Sequence, residues 1–361
     1  MFQNLKLQDF MMFSKADFTF GEHLNIIIGD NGTGKTHLLK LLFAISKLTE
    51  DISNRDFASK IILNDTDNSI IGAFKQVFRV KQLRELIRFT PEHNLGMSES
   101  VNSINMRDSQ RDFGFAFTIA KAEPNSDSIF IEKTENVNLP QKQKSNVIFI
   151  PARELLSMYQ NFRSLNDEYD LPYDRTVVDT ISKLGLPYLK NESKEFTSLI
   201  KSIESVMDGK IFLRDERFYY HPNSAPFDMD LDISMAAEGW RKLGMILQLL
   251  QNGSLRKGKV LLWDEPEANL NPLLICLIAK VIVHLSTLGI QVFLTTHSLF
   301  LLREIDMLTK AKKNLQQGSV RYFNFIDKGK LEQGYTPEEL GNILLLDESL
   351  AQSERFINME D

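Results

Sequence analysis

Apolar positions fall into short runs that alternate with stretches of helical period, most clearly around residues 24–45 and again from residue 236. Residues 24–28 (LNIII) make an apolar run of strand length, as expected of a central parallel strand covered on both faces. Leu38, Leu39, Leu41, Leu42 and Ile45 then recur at helical spacing. Ahead of this unit, residues 5–20 read as two short strands, with Phe10, Phe13, Phe18 and Phe20 as β-favouring aromatics and Gly21 as a turn. From residue 236 the pattern predicts a helix over 240–251, a strand over 260–263, a helix over 272–288, a strand over 291–295 and a helix over 299–308. Such alternation implies parallel β-α-β units. The segment VRYFNFIDKGKLEQ reads as a closing hairpin.

The middle of the chain is less regular. A helical piece is expected over 76–89, a polar loop over 90–109, and alternating strands over 113–119 and 129–131, together an antiparallel β lobe with an inserted arm. NVIFIP, residues 146–151, is a further apolar strand. Residues 152–210 look mostly helical, broken at Gly185 and Pro187, and 212–220 looks like a short hairpin. There is no internal repeat and no heptad run long enough for a coiled coil.

Composition narrows the class. With 43% apolar and 25% charged residues, the 361-residue chain can bury a sizeable core. Its one cysteine, Cys276, excludes an intramolecular disulfide framework and a cysteine-based zinc site within one chain, which fits a reducing compartment. The N-terminus lacks the pattern of a signal peptide, and no apolar stretch is long enough to span a membrane, so a cytoplasmic protein with no membrane partner is expected. A net charge of −6 does not mark a nucleic-acid binder, so any DNA contact needs a local patch. The basic stretches 256–259 and 310–313 leave DNA open as a partner.

The strongest chemical signal is GDNGTGKT, residues 29–36, which fits G-x-x-x-x-G-K-[ST] between an expected strand and an expected helix. Gly29, Gly32 and Gly34 let backbone N–H groups turn inward around phosphate oxygens. Lys35 carries a charge for the β- and γ-phosphates, Thr36 offers a hydroxyl to Mg²⁺, and the helix start adds its positive dipole end. ATP and Mg²⁺ are thus the expected cofactors, with Asn31, Gly32, Thr33, Gly34, Lys35, Thr36 and His37 as the nucleotide-binding stretch. VLLWDEP, residues 260–266, is an apolar strand ending in two acids: Asp264 for the metal and Glu265 to orient and deprotonate the attacking water. A third strand, QVFLTT, leads to His297, placed to approach the γ-phosphate from the edge of the site.

The order of P-loop, D-E-P-E, A-N-L-N-P and T-T-H-S resembles the ABC ATPase superfamily. The opening LQDFMMFSKADFTFGEHLNIIIGDNGTGKT is similar to RecF, SMC and the ATPase half of overcoming-lysogenisation-defect proteins. The resemblance implies an α/β fold: an ABC-ATPase head with a mostly parallel P-loop core sheet, an antiparallel β lobe and a helical insertion. It also implies one domain over 1–361, made of a P-loop and β-lobe part (1–150), a mainly helical part (151–230) and a final lobe (231–361). AAEGW, residues 236–240, falls where the family has its L-S-G-G-Q signature, which would place Gly239 against the nucleotide of a second copy. Ala237 and Glu238 replace a serine and a glycine there. After NVIFIP, where the family has a metal-sensing glutamine, this chain has Ala152, Arg153 and Glu154.

The expected function is an ATP-driven switch. Two ATP molecules would join a homodimer or higher homo-oligomer, and hydrolysis would release it and regulate a separate effector, a nuclease or toxin. The compact form resembles ATPases of bacterial anti-phage systems. A DNA-repair ATPase of RecF type, a transporter motor and a non-hydrolysing ATP scaffold are the competing readings.

Overall fold

The computed structural model describes the chain apart from residues 53–59, 65–69, 89–98, 108–111, 124–125, 134–145, 170, 191–193, 225–228, 313–314, 316–317, 327–328, 342 and 359–361. The chain opens with β1 (Phe2–Phe10) and β2 (Phe13–Thr19), then passes through β3 (Leu24–Gly29) and the glycine-rich loop into α1 (Lys35–Ile52). β4 (Lys60–Asn64), α2 (Ile70–Phe78), β5 (Glu99–Arg107), β6 (Asp112–Glu123) and β7 (Ser126–Lys133) follow, and then β8 (Val147–Ile150). Next come α3 (Phe162–Glu168), α4 (Arg175–Leu184), α5 (Lys194–Met207) and a small sheet of β9 (Gly209–Arg214), β10 (Arg217–Pro222) and β11 (Leu231–Asp232). The last third runs α6 (Glu238–Gln251), β12 (Val260–Trp263), α7 (Pro272–Thr287), β13 (Gln291–Thr296), α8 (Leu299–Lys310), β14 (Val320–Ile326), β15 (Lys330–Gly334) and α9 (Leu344–Ile357).

Two six-stranded sheets carry the architecture. The core sheet has the order β15-β14-β3-β13-β12-β8, parallel throughout except for the terminal β14–β15 pair; the other, β2-β1-β5-β6-β7-β4, is antiparallel. Successive side chains of a strand point to opposite faces, and the core strands use both faces. Leu24, Ile26, Ile28, Leu261, Trp263, Val292 and Leu294 join one apolar cluster with α4 to α8. Ile27, Leu262 and Phe293 join a second with α1 and the antiparallel sheet. This two-sided burial explains the unbroken apolar runs in the sequence.

Helix α1 lies within the second cluster, and phenylalanines extend it. Phe20 meets Phe293 edge-on at 5.0 Å between ring centroids, Phe13 meets Phe325 at 5.4 Å, and Phe18 meets Phe323 at 5.8 Å. The aromatics that marked the opening strands as β-favouring therefore serve as the joint between the two sheets. Asn25, the one polar residue of β3, is fully buried and is satisfied by Gly21: its Oδ1 accepts from Gly21 N at 2.8 Å and its Nδ2 donates to Gly21 O at 3.0 Å.

Several expectations need correction. The helix read over 76–89 is α2, which ends at Phe78, followed by a 3₁₀ turn over Leu83–Leu86. Within the stretch read as a polar loop over 90–109, residues 99–107 form β5, while 90–98 and 108–109 lie outside the described residues. β5 alternates correctly, with Asn102, Ile104 and Met106 buried, but its composition is polar and its partner β1 lies about a hundred residues earlier, with Leu5 opposite Ile104. The closing hairpin exists as β14–β15, yet β14 also pairs with β3 in parallel and so belongs to the core sheet. Helix α9 was not anticipated.

Buried Gln291 at the start of β13 fastens the N-terminus to the core. Its Oε1 accepts from Phe2 N at 2.8 Å, and its Nε2 donates to Phe2 O at 2.8 Å and to Gly21 O at 2.9 Å. Gln291→Leu keeps the bulk but removes the side-chain partner of both Phe2 N and Phe2 O, while Gly21 O keeps its bond from Asn25. It should destabilise the protein by about 3 kcal/mol or more, measured by urea unfolding.

Candidate functional site

The glycine-rich loop leaves β3 at its carboxyl end and returns as α1. Gly29, Gly32 and Gly34 have φ values of +151°, +77° and +96°, which an L side chain rarely adopts. A Cβ on Gly34 would also strike the Met12 sulfur at 2.1 Å, so the loop is seated on the β1–β2 turn. Lys35 is buried with its Nζ inside the loop, donating to Gly29 O at 2.8 Å and Asp30 O at 2.9 Å. Burial pulls the Lys35 pKa down, against an upward pull from Glu265, Asp264, Asp30 and Glu267. Asn31, Gly32 and Thr33 form the turn before it, and Thr33 Oγ1 donates to Asp30 O at 2.8 Å. His37 sits in the first turn of α1 beside Phe78, and burial lowers its pKa.

Parallel pairing brings the other two motifs alongside. β13 lies between β3 and β12, with Thr296 opposite Ile28 and Trp263 opposite Leu294, so the loops after all three strands emerge in one row. Thr36 Oγ1 donates to Asp264 at 2.9 Å (Oδ1) and 3.0 Å (Oδ2), and Thr295 Oγ1 donates to Asp264 Oδ1 at 2.6 Å. The Asp264 carboxylate is buried, and that desolvation raises its pKa despite the two threonine donors. Glu265 has φ +42°, strain of the kind that concentrates at functional sites. Its amide donates to Thr295 Oγ1 at 3.0 Å and its Oε1 lies 3.2 Å from His297 Nδ1. Both the Glu265 and His297 side chains remain partly open to solvent.

Sequence reasoning passed over the residues that hold this group in place. Thr295 bridges Asp264 and the Glu265 amide. Glu267, buried, accepts from Thr296 Oγ1 and from His297 N at 3.2 Å, while among the described residues its Oε2 has no hydrogen-bond partner; burial raises its pKa. Buried Lys242 donates to Ala268 O. The last acid of D-E-P-E and the threonines ahead of His297 were visible in the sequence, but nothing in their spacing announced a mutual contact.

The signature region is tied to the loop after the acids. Asn269 Nδ2 donates to Glu238 Oε1 at 3.1 Å, and a Cβ on Gly239 would lie 2.3 Å from Leu274 Cδ1, so a side chain there would have to displace the Leu274 side chain where α6 meets α7. Ala237 at the α6 N-cap supplies no side-chain acceptor, leaving the first N–H groups of that helix without a side-chain cap. Glu154 is buried, paired with Arg241 Nε at 3.0 Å and bonded to Ser157, and so is not presented to the site.

These residues fit Mg-ATP. The positive-φ glycines form a cradle a Cβ would obstruct, Lys35 reaches into it, and Thr36 and Asp264 supply the hydroxyl and carboxylate oxygens that a hard cation takes. Among the described residues no group of three or more His, Cys, Asp or Glu could hold a metal ion.

Residues 24–303 match the family described as "AAA domain, putative AbiEii toxin, Type IV TA system". The chain belongs to this family. A 54-residue stretch is 35% identical to the DNA replication and repair protein RecF of Lachnospira eligens, spanning 15% of this chain and 15% of that relative's length. The fold is similar to that of an SMC head solved bound to the C-winged helix domain of ScpA. That likeness covers 93% of this chain and 98% of that one at 12% identity, with a TM-score of 0.53. The family match and the fold likeness agree with the P-loop ATPase head that the motifs led one to expect. Among the described residues no helix is long and apolar enough to cross a membrane.

The Asp264 environment yields a pH-dependent test. Its folded-state pKa lies above the unfolded value, so the penalty for its charge is present above that raised pKa and fades as pH falls towards 4. Asp264→Asn keeps an Oδ1 acceptor for both threonines and should raise the melting temperature of the nucleotide-free protein by roughly 2 °C at neutral pH. The gain should shrink on acidification, as read by calorimetric scans across pH.

Proposed function

We propose that the protein is an ATP-hydrolysing switch whose two copies close head to tail around Mg-ATP, and that this cycle regulates a separate nuclease or toxin in bacterial anti-phage defence. The observation that carries the reading is the single row formed by Lys35 and Thr36 after β3, Thr295 and His297 after β13, and Asp264 and Glu265 after β12. The family description, with its toxin–antitoxin system, supports the defence role.

In this reading Lys35 exchanges its two loop carbonyls for the β- and γ-phosphates, and residues 31–37 wrap the phosphate chain. Thr36 and Asp264 would hold Mg²⁺, which when bound neutralises charge developing on the phosphates. Glu265 takes a proton from the water whose oxygen attacks the γ-phosphorus, as the bond to the β–γ bridging oxygen breaks and ADP departs. His297 orients that carboxylate through Nδ1. The start of α6 from the second copy, at Gly239, supplies N–H donors to the γ-phosphate; exposed Met235 and Leu273, near the starts of α6 and α7, suit a covered face.

Lys35→Ala should abolish the thermal stabilisation by Mg-ATP, which reaches about 2.7 kcal/mol at a hundredfold excess over Kd, while the nucleotide-free protein still folds. Retained stabilisation would defeat the nucleotide assignment.

Glu265→Gln should bind Mg-ATP but lose turnover by about a hundredfold or more, trapping a dimer visible by light scattering. Adding Ala237→Asp places a capping carboxylate at the open start of α6, and should block trapping without weakening ATP binding. An assembly state indifferent to ATP in Glu265→Gln would favour a non-hydrolysing scaffold. Steeply salt-dependent, ATP-dependent binding of duplex DNA would favour the RecF-type reading that the 54-residue match suggests.

A further inference from the structure

Beside the Thr36–Asp264 pair lies a cavity of about 470 Å³, walled by α1, the segment after β8 and the start of α4. Three cations line it, Lys40, Arg79 and Arg153, against two carboxylates, Asp174 and Asp264. Both carboxylates are already engaged. Asp174 Oδ2 takes Lys40 Nζ at 2.8 Å and its Oδ1 accepts from Thr176 N at 2.9 Å, capping α4, while Asp264 accepts from its two threonines.

The two arginines are left over. Arg79 is exposed and donates through Nη1 to Leu171 O at 3.2 Å. Arg153 is exposed, three residues beyond the end of β8, with no hydrogen bond or ion pair among the described residues. A guanidinium has five donors and no acceptor, so it cannot ligate a metal but suits a tetrahedral oxyanion. Arg153 stands where the sequence comparison would place a metal-sensing glutamine, and the neighbouring Glu154 is turned into the protein against Arg241 and Ser157.

We propose that this cavity binds a phosphoryl dianion, with Arg153 as its first donor and Arg79 as its second. The inference deepens the ATPase reading and rests on it. Two sources share the chemistry: the γ-phosphate of bound ATP and the orthophosphate left after hydrolysis. Continuity with Thr36 and Asp264 puts both within reach of the same cavity.

The test is titration calorimetry on the full chain with Mg-ADP, a non-hydrolysable Mg-ATP analogue, and inorganic phosphate added to the Mg-ADP complex. Wild type is compared with Arg153→Ala and Arg153→Lys. Loss of a charge-assisted hydrogen bond should weaken binding about tenfold or more. If the γ-phosphate is the ligand, Arg153→Ala removes the analogue's advantage over Mg-ADP; if released phosphate is, it weakens inorganic phosphate instead. Mg-ADP affinity should hold in both cases, and Arg153→Lys should restore part of the loss. Unchanged affinity for both the analogue and inorganic phosphate overturns the proposal. Inorganic phosphate is also titrated into nucleotide-free Lys35→Ala with and without Arg153→Ala. Weaker binding in the double variant supports the cavity even if Lys35→Ala still binds Mg-ADP and the nucleotide reading itself falls; equal binding together with an unchanged analogue affinity refutes it.

Discussion

The arrangement of the site depends on one buried carboxylate. Asp264 follows β12, receives hydroxyls from Thr36 after β3 and Thr295 on β13, and its amide donates to Ile150 O at the end of β8. Four strands of the core sheet are thus tied at their carboxyl ends by one residue. Burying that charge is costly, as its raised pKa records, and the threonine hydroxyls offset part of the cost. A cation at the same position would offset far more, which links the stability of the loop row to the proposed Mg-ATP.

The same row carries strain next to the point of chemistry. Glu265 adopts a left-handed backbone conformation that costs of order 1–3 kcal/mol for a residue with a side chain. Its amide bond to Thr295 and its side-chain contact with His297 hold it there, and Glu267 in turn holds the His297 amide. The exposed, adjustable part of the site therefore stands on a rigid and buried base.

Around the start of α6 the contacts are of another kind. Glu238 meets Asn269, Lys242 meets Ala268 O, and Arg241 meets Glu154, so this helix start is connected both to the loop after Glu265 and to the segment after β8. Gly239 gives room to the Leu274 side chain. The unusual Ala237–Glu238 pair thus has Ala237 exposed and Glu238 bonded to the loop after Glu265 through Asn269.

The sequence by itself determined the strands that are buried on both faces and the loops that follow them. Residues 24–28, 260–263 and 291–295 are apolar enough to admit no other reading, and G-x-x-x-x-G-K-T, D-E and T-T-H specify their chemistry locally through glycine backbone freedom and charge. Tertiary structure decided what depends on partners distant in the chain. The polar β5 is fixed as a strand between its chain neighbour β6 and the distant β1, β14 joins the core only beside β3, and Thr295, Glu267 and Lys242 matter only once parallel register sets three loops side by side. Local propensity reports on neighbours a few residues away, whereas strand register and the sharing of a buried carboxylate are set by residues up to nearly three hundred positions apart.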